Sequence, residues 1–176
     1  MKFVEEARIC QPFQNDKAHL LADLTLGYWL KKDRKLLFAM PQGALEDRAQ
    51  SVEASMDPLF IRIVEAYESY VAAQPKSMSE IYPIIEPSLE VATPFQRKVL
   101  EAVLQVPFGA LASYKDLACA IGQPLSARAV GGALGQNRLL VLIPCHRVVQ
   151  SNGGLGGFAG HVPLKKALIE FESSKA

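Results

Sequence analysis

The sequence predicts a mixed α/β (α+β) protein in which a small strand-rich domain precedes a mostly helical one. Two apolar runs, Tyr28–Leu30 and Leu36–Met40, flank a charged stretch, a pattern typical of a hairpin. Prolines then interrupt residues 75–94, where we predict a linker, and two helix-start patterns lie at and beyond its end. We therefore place an N-terminal domain with one helix and the linker over 1–90, and a C-terminal domain over 91–176.

Composition places the chain among ordinary globular proteins. Its 176 residues can bury a sizeable core, and 49% hydrophobic with 21% charged residues are typical values. The N-terminus has no apolar segment of the kind found in signal peptides, and no apolar run reaches transmembrane length. The three cysteines are too widely spaced for a disulfide framework, so we expect an intracellular, reduced protein.

Charge is distributed unevenly along the chain. Residues 1–90 carry 10 Lys and Arg against 14 Asp and Glu, a net charge of −4, whereas residues 91–176 carry 9 against 4, a net charge of +5. A basic half beside an acidic one is typical of a protein that meets a polyanion through one domain. A solvated charge imbalance is an alternative that the counts leave open.

The N-terminal domain carries one predicted helix and no catalytic constellation. Asp57 and Pro58 supply an N-cap and a first-turn proline. Apolar residues follow at helical spacing, namely Phe60, Ile63, Val64, Tyr67 and Val71. Cys10 and His19, nine residues apart, are too few to predict a metal site.

Three helices are predicted at the start of the C-terminal domain. Thr93 and Ser113 each open a capping box, because Gln96 and Asp116 stand three residues further on. A third helix follows a tight Gly/Pro turn and covers about 126–135. Helix, tight turn and helix in this order predict a helix-turn-helix, although many helical hairpins bind no nucleic acid.

The third of these helices is built almost entirely of small residues, with Arg128 as its one long side chain. Its two internal glycines cost about 1 kcal/mol each relative to alanine. One explanation is a close contact with another helix. The other is the minor groove of DNA, roughly 6 Å wide, which a thin helix can approach while Arg128 projects. Cys119, on the preceding helix, is expected to be a packing residue.

The stretch Ile143–Val149 carries the candidate reactive group. Cys145 has His146 beside it, and a cysteine next to a histidine is a candidate nucleophile with a base in reach. A buried structural cysteine is the alternative. However, His146 and Arg147 would be costly to bury unpaired beside a core thiol. A reactive site therefore explains the stretch better.

A short strand and a glycine-rich loop are predicted after the thiol. Val148–Gln150 has strand character and ends at the Asn152-Gly153 turn dipeptide, so we predict a short hairpin here. The loop over 153–157 contains four glycines. Glycine lets the backbone approach a ligand closely, so the loop is expected to bring N–H groups to a bound molecule.

Pro-Cys-His-Arg-Val at residues 144–148, with Asn137 upstream and the glycine-rich loop downstream, closely resembles the alkylguanine-DNA alkyltransferases, or methylated-DNA–protein-cysteine methyltransferases. The resemblance covers Thr93 to Glu172. It implies a single-turnover S-methyltransferase that repairs double-stranded DNA. The alkyl group would pass irreversibly from oxygen-6 of guanine, and from oxygen-4 of thymine, to Cys145 after the base is flipped through the minor groove. It also implies no cofactor and no metal, and a monomer is expected.

The resemblance also implies roles for individual residues. Cys145, a water, His146 and Glu172 would form a proton relay, because adjacent side chains in an extended chain point apart. Glu170 could compete with Glu172 on sequence alone. The catalytic residues would be Cys145, His146, Glu172, Tyr114 and Asn137. The substrate-binding residues would be Val148, Ala159, Gly156, Phe158 and Gly160. The DNA-binding residues would be Arg128, Ser113, Ala127, Ala129 and Gly131.

Some positions depart from the family pattern. Phe158 stands where a tyrosine is expected, Ala159 where a hydroxyl residue is frequent, and Arg138 where a proline follows the asparagine. Glycine at position 160 leads us to expect that benzyl-sized groups are accepted, unless Gly160 serves only the backbone.

Two other functions remain open on the sequence. One is a lesion-binding relative without a nucleophile, which Cys145 argues against. The other is a cysteine hydrolase, for which a neighbouring Cys-His pair is unusual and the thin, Arg-bearing helix would not be needed.

Overall fold

The computed structural model describes residues 6–12, 24–31, 34–41, 49–51, 58–159 and 162–176. The chain divides into two compact units, residues 1–88 and residues 89–176. The fold is mixed α/β, as predicted, with a four-stranded sheet in the first unit and mostly helices in the second. Within the described residues, no helix combines the length and the apolar character needed to span a membrane.

The first unit contains a sheet with the strand order β3-β2-β1-β4. Its strands are β1 (Glu6–Pro12), β2 (Leu24–Lys31), β3 (Arg34–Pro41) and β4 (Ala49–Ser51). The pairs β1–β2 and β2–β3 are antiparallel, and β1–β4 is parallel. Lys31 pairs with Arg34, so the predicted hairpin is confirmed with a shorter connection than the sequence indicated.

Helix α1 (Pro58–Val71) is the predicted amphipathic helix of this unit. Its buried residues recur at helical spacing and are Ile63, Ala66, Tyr67 and Tyr70. The apolar side of the helix is therefore confirmed. Asp57, the predicted N-cap, lies outside the described residues.

Helix α2 (Met78–Glu90) occupies the segment that we predicted as a linker, so that prediction and the prediction of a single helix are wrong. Pro83 and Pro87 stand inside the helix, where each removes one backbone N–H donor. The helix nevertheless forms because one side of it is buried, through Ile81, Ile84, Ile85 and Leu89. Burial of an apolar side supplies most of the stability of helices in proteins and here outweighs the two prolines.

The second unit is mostly helical. Its elements are α3 (Pro94–Leu104), β5 (Ala112–Ser113), α4 (Tyr114–Ala120), α5 (Ala127–Leu134), a 3₁₀ turn (Cys145–Arg147), β6 (Val148–Val149) and α6 (Val162–Ser173). Both predicted capping boxes are present, since the Thr93 and Ser113 hydroxyls accept from the N–H groups of Gln96 and Asp116. Helices α3, α4 and α5 pack on one another, which is the arrangement of a helix-turn-helix.

Three local predictions in this unit are wrong. Strands β5 and β6 pair in parallel, so no hairpin follows the thiol, although the Asn152-Gly153 turn forms. Cys145 lies in a 3₁₀ turn and not in extended chain. Cys119 is exposed, because the buried positions of α4 are Leu117 and Ala118. Parallel pairing joins segments far apart in sequence, which a local pattern does not reveal.

Candidate active site

Pro144 sets the backbone that presents the thiol. Its φ of −82° and ψ of 57° form an inverse γ-turn, in which the N–H of Cys145 donates to the carbonyl of Ile143 at 2.8 Å. Cys145, His146 and Arg147 then form the 3₁₀ turn, and all three are buried. The ring of Pro144 restricts φ, so the chain bends here and three functional side chains leave the backbone within one turn.

Asn137 links the end of α5 to the thiol. Its Nδ2 donates to the carbonyl of Ile143 at 2.8 Å and to Sγ of Cys145 at 3.0 Å. Its Oδ1 accepts from the N–H of Leu139 at 2.9 Å. Asn137 is buried, so these bonds form away from water, where hydrogen bonds are electrostatically stronger. The amide therefore fixes the sulfur relative to α5.

Behind the thiol, His146, Arg147 and Glu172 form what we call the charged cluster. Oε1 of Glu172 accepts from Nε2 of His146 at 2.7 Å and from Nη2 of Arg147 at 3.0 Å. Oε2 accepts from Nε of Arg147 and from the N–H of Gly109, both at 2.9 Å. Glu172 is only 1% exposed. Its charge is therefore balanced by Arg147, as a buried carboxylate requires.

Glycine is needed at position 109 for this arrangement. Gly109 has a φ of +77°, a conformation that residues with a Cβ rarely adopt. A Cβ at this position would also lie 2.3 Å from the Cβ of Ala176. The turn after α3 therefore depends on this residue to direct its N–H to Glu172.

The pKa values in the cluster define its resting state. Burial alone would raise the pKa of Glu172, but hydrogen bonds from His146 and Arg147 outweigh it and hold the pKa at about 2. Burial lowers the pKa of His146, against the hydrogen bond and charge of Glu172, while the charge of Arg147 adds to the decrease. Because Glu172 is ionised, Nε2 of His146 carries the proton, and Nδ1 is the nitrogen that can accept one.

The thiol itself rests in its protonated form. Burial raises the pKa of Cys145 to about 11, although the hydrogen bond from Asn137 and the charge of Lys165 oppose the rise. The thiolate is the nucleophilic form of cysteine. Cys145 therefore needs a base before it can attack an electrophile.

Lys165, on α6, is a fully buried cation next to the site. Its Nζ donates to the carbonyls of Val148, Leu155 and Gly157. It also lies 5.7 Å from the centroid of the Tyr114 ring. Burial lowers the pKa of Lys165 to about 8, against the charge that Cys145 carries when it is ionised. The ammonium ties the glycine-rich loop to β6.

Tyr114 lies between α5 and the glycine-rich loop. Its hydroxyl donates to the carbonyl of Gly157 at 3.1 Å. A Cβ on Gly131 would stand 3.6 Å from the ring, whereas one on Gly156, which has a φ of +67°, would stand 2.9 Å from the hydroxyl. Burial raises the pKa of Tyr114, and the charge of Cys145 adds to the rise. The phenol therefore remains a protonated donor at neutral pH.

One side of α5 is exposed and carries Arg128, Ala129 and Gly132, which we call the α5 face. These positions lie within about 100° of arc around the helix. The opposite side is buried through Val130, Ala133 and Leu134. An added Cβ on Gly132 would meet no heavy atom of the described residues within 4 Å. Contact with another described part of this unit therefore does not explain the glycine at 132.

Comparison with known proteins places the chain in a family. Residues 94–174 match the family described as "6-O-methylguanine DNA methyltransferase, DNA binding domain". The constitutive methylated-DNA–protein-cysteine methyltransferase of Bacillus subtilis is 35% identical over 124 residues, which are 70% of this chain and 72% of that protein. The chain belongs to the methylated-DNA–protein-cysteine methyltransferases.

Two further relatives define the extent of the match. The methyltransferase of Mycobacterium bovis is 45% identical over 84 residues, 48% of this chain and 51% of that protein, so the chain spans about half the length of this relative. The crystal structure of Mycobacterium tuberculosis OGT in complex with DNA is similar at a TM-score of 0.64 and 26% identity. That match covers 97% of this chain and 94% of the mycobacterial one. The family fold thus extends over the first unit as well.

Of the five residues that the family resemblance implies for catalysis, the structure bonds Asn137 to Cys145 and His146 to Glu172. Tyr114 contacts the neighbouring Lys165 and Gly157. Glu172 contacts His146, whereas Glu170 is exposed and lies 3.6 Å from Nζ of Lys166. Both backbone groups of Val148 have protein partners: its N–H donates to Cys145 and its carbonyl accepts from Lys165. A carbonyl has a second lone pair, so binding of a base edge by Val148 stays a prediction for that oxygen.

The other predicted contacts are placed as follows. Phe158 is buried, and Ala159 is half-buried at the end of the glycine-rich loop. Gly160 lies outside the described residues. Ser113 uses its hydroxyl to cap α4, and Ala127 begins α5. A Cβ added at Gly131 would meet the Tyr114 ring at 3.6 Å, an ordinary van der Waals distance.

Sequence reasoning missed the roles of Arg147, Lys165 and Gly109. For Arg147 the signal was present, since a cation beside a core thiol must have a partner, but the sequence did not identify that partner. For Lys165 the signal is weaker: a lysine seven residues before Glu172 lies on the same side of a helix. Gly109 could only be recognised once its φ and its bond to Glu172 were known.

Proposed function

We propose that this protein repairs DNA by transferring an alkyl group from oxygen-6 of guanine to its own Cys145. The observation that carries the proposal is the position of Sγ, 3.0 Å from Nδ2 of Asn137 and in the same turn as a histidine bonded to a buried carboxylate. Membership of the methyltransferase family supports it. Oxygen-4 of alkylated thymine is the second substrate that we propose.

The transfer would proceed by displacement at the alkyl carbon. His146 takes the thiol proton at Nδ1 through a water, while Glu172 stabilises the imidazolium that forms. The Sγ–carbon bond then forms as the carbon–oxygen bond breaks, and the electron pair of the broken bond passes to the guanine. Tyr114, a protonated phenol near the thiol, donates a hydrogen bond to the guanine ring as negative charge develops on the leaving base, and the proton that His146 took from the thiol returns through water to neutralise the guanine anion. The thioether has no good leaving group, so each chain reacts once.

Double-stranded DNA would bind through the α5 face. Arg128 is the long cation on this face, and the glycine at 132 lets the backbone approach a groove that is roughly 6 Å wide. The target atom is inside the duplex, so the base must be flipped out at a cost of a few kcal/mol. Arg128 would fill the vacated place in the stack. Ser113, Ala127, Ala129 and Gly131 are proposed to contact DNA around it.

The flipped base would lie between Tyr114 and the glycine-rich loop. Val148, Gly156, Phe158 and Ala159 are the proposed contacts, with the N–H of Ala159 directed to the base edge. Acceptance of benzyl-sized groups stays a prediction from Gly160 in the sequence. We further propose that 91–176 carries binding and transfer, that the protein acts as a monomer, and that it is intracellular.

The experiment is a stoichiometric alkylation. Mixing the protein with excess duplex DNA that contains methylated guanine should alkylate one cysteine per chain and then stop, with the methyl group on Cys145 by peptide mass spectrometry. Cys119→Ser is a matched control, because Cys119 is the exposed thiol of the helical unit, and it should react like the wild type. Cys145→Ser should not react. Turnover beyond one equivalent, or a methyl group on Cys119, would contradict the proposal.

A further inference from the structure

Arg147 has a contact pattern that the proposed reaction does not yet use. Its guanidinium donates to both oxygens of Glu172 and, through Nη1, to the carbonyl of Val106 at 2.7 Å. The guanidinium carbon also lies 5.7 Å from the centroid of the Phe108 ring. Arg147 is 8% exposed. The side chain is thus held on several sides, with Glu172 as its ionic partner.

Both oxygens of Glu172 are shared between competing donors. Oε1 accepts from His146 and Arg147, and Oε2 from Arg147 and Gly109. Without Arg147, the carboxylate would be a buried charge whose nearest possible counter-charge is a protonated His146. Such a charge is costly unless it is paired. His146 would therefore keep its proton up to a higher pH, and below that pH it could not accept the proton of the thiol.

We propose that Arg147 is a positioning residue that keeps His146 an uncharged imidazole, with its proton on Nε2 and with Nδ1 unprotonated, so that Nδ1 can take the proton of the thiol. Arg147 achieves this by neutralising Glu172 and by fixing its carboxylate plane through two parallel N–H bonds. This role rests on the proposed function, because it assigns His146 as the base of the transfer. A lysine here would keep the charge but not the planar fork.

The other charges around His146 do not supply the same effect. From α6, Glu172 and Lys165 act on it, and Cys145 and Arg147 are its neighbours in the turn. Lys165 also lowers the pKa of His146, but its Nζ is bonded to three carbonyls of the glycine-rich loop and β6. Helix α3 also contacts the turn.

The charges of α3 are Arg97, Lys98 and Glu101, and they stand at partly or fully exposed positions. Arg97 pairs with Glu101 at 2.8 Å. Solvent screens exposed charges strongly. Arg147 is therefore the cation that balances Glu172.

The test follows the protonation of His146 by NMR in the full chain without DNA. The sequence contains three histidines, so the imidazole signals can be assigned with single His→Gln variants. In the wild type, His146 should stay neutral to a pH below the ordinary histidine value of about 6.5. In Arg147→Met its titration should move up by at least about one pH unit. Arg147→Lys should titrate close to the wild type.

Activity gives the second measurement. The rate of reaction with a free alkylated guanine base, plotted against pH, should have its acid limb moved upward in Arg147→Met, with recovery at higher pH. In Arg147→Met/Glu172→Gln, which removes both charges, the His146 titration should return to low pH. A purely structural Arg147 would lower the rate equally at every pH and leave the His146 titration unchanged.

Several results would overturn the inference. A wild-type His146 that titrates above pH 6.5 would overturn it, and this measurement does not require any variant to fold. A His146 that titrates in Arg147→Met at the wild-type pH or at a lower pH would also overturn it. Because this readout needs no substrate, it is independent of the proposed function. If alkylation of Cys145 failed while the titration behaved as expected, the proposed transfer would be wrong and the role of Arg147 in the cluster would stand.

Discussion

The charged side chains of the charged cluster are buried and paired, whereas the charged side chain of the α5 face is exposed. In the cluster, His146, Arg147 and Glu172 are buried, and both His146 and Arg147 are bonded to Glu172. On the α5 face, Arg128 is exposed beside two small residues, with open space over Gly132. The hydrogen bonds of the cluster are made within the protein, whereas no described residue of its own unit fills the space over Gly132 on the α5 face.

The difference teaches where each kind of function resides. Groups that move a proton must be held in place before substrate arrives, so they are buried and each is fixed by hydrogen bonds. A surface that binds a large polyanion must stay open, and it gains its contacts only on binding. Substitutions in the cluster should therefore change stability and chemistry together. Substitutions on the α5 face should change binding while the fold is preserved.

The largest effect is expected in the cluster, from Glu172→Gln. Glutamine leaves the buried Arg147 without its counter-charge, and losing one partner of a buried ion pair costs about 3–5 kcal/mol. The free energy of unfolding from urea titration should fall by about 3 kcal/mol, and alkyl transfer should slow strongly. Glu170→Gln is the matched control on the same helix, because Glu170 is exposed. Equal losses of stability and of transfer rate in Glu172→Gln and Glu170→Gln would contradict the conclusion that the cluster contributes to both.

Acid should weaken the protein through the same group. The pKa of Glu172 is about 2 in the folded state against 4.5 as the ordinary value. Its contribution to stability is therefore fully present above pH 4.5 and is lost as the pH falls towards 2, by about 3 kcal/mol in all. His146, whose pKa is lowered, acts in the same direction below pH 6.5. Urea titrations at pH 7, 5 and 3 should show the decline, and Glu172→Gln should decline less.

On the α5 face, Arg128→Ala should impair duplex repair far more than reaction with a free alkylated base. The arginine would offset part of the few kcal/mol that flipping costs, so the duplex rate should fall about 10- to 100-fold, while a free base needs no flipping. The free energy of unfolding should remain within about 0.5 kcal/mol of the wild type. Lys115→Ala removes an exposed charge from α4 and is the control. Equal rate losses on both substrates would make Arg128 a structural residue.

The smallest effect on stability is expected from substitutions at Gly132, and these test directly whether the α5 face binds DNA. Gly132→Ala should stabilise the protein by up to about 1 kcal/mol, because alanine is the better helix former and its Cβ meets open space. Gly132→Leu should also fold, yet lose affinity for duplex DNA in a fluorescence anisotropy titration. Ser173→Leu, which adds bulk to an exposed position of α6, should bind normally. DNA affinity unchanged in Gly132→Leu would remove the α5 face from the proposed interface.

Local features of the fold were predictable from sequence, and non-local ones were not. The capping boxes at Thr93 and Ser113 are four-residue patterns whose hydrogen bonds close within the pattern. The helix through Pro83 and Pro87 was not predicted, because its stability comes from burial and not from its residue preferences. The parallel pairing of β5 and β6 joins segments more than thirty residues apart.

In the candidate site, too, local features were predictable from the sequence and contacts between distant segments were not. The Pro-Cys-His-Arg-Val run and its family resemblance identified the thiol and the histidine. The partner of Arg147 and the three carbonyls around Lys165 lie on other segments, so only the structure shows them. Gly160 and the contacts predicted for it lie outside the described residues.

Helix α6 supplies Lys165 and Glu172 from one side, seven residues apart. Two helical turns separate them by about 10.5 Å along the axis. One helix thus positions both the glycine-rich loop and the carboxylate that is bonded to His146. A shift of the helix would therefore move both together. Inserting or deleting one residue between them would rotate one group by about 100° away from its partners. Single substitutions at the exposed position Lys166 preserve this register. We therefore expect α6 to tolerate exchanges of side chain at such positions but no change of length between 165 and 172.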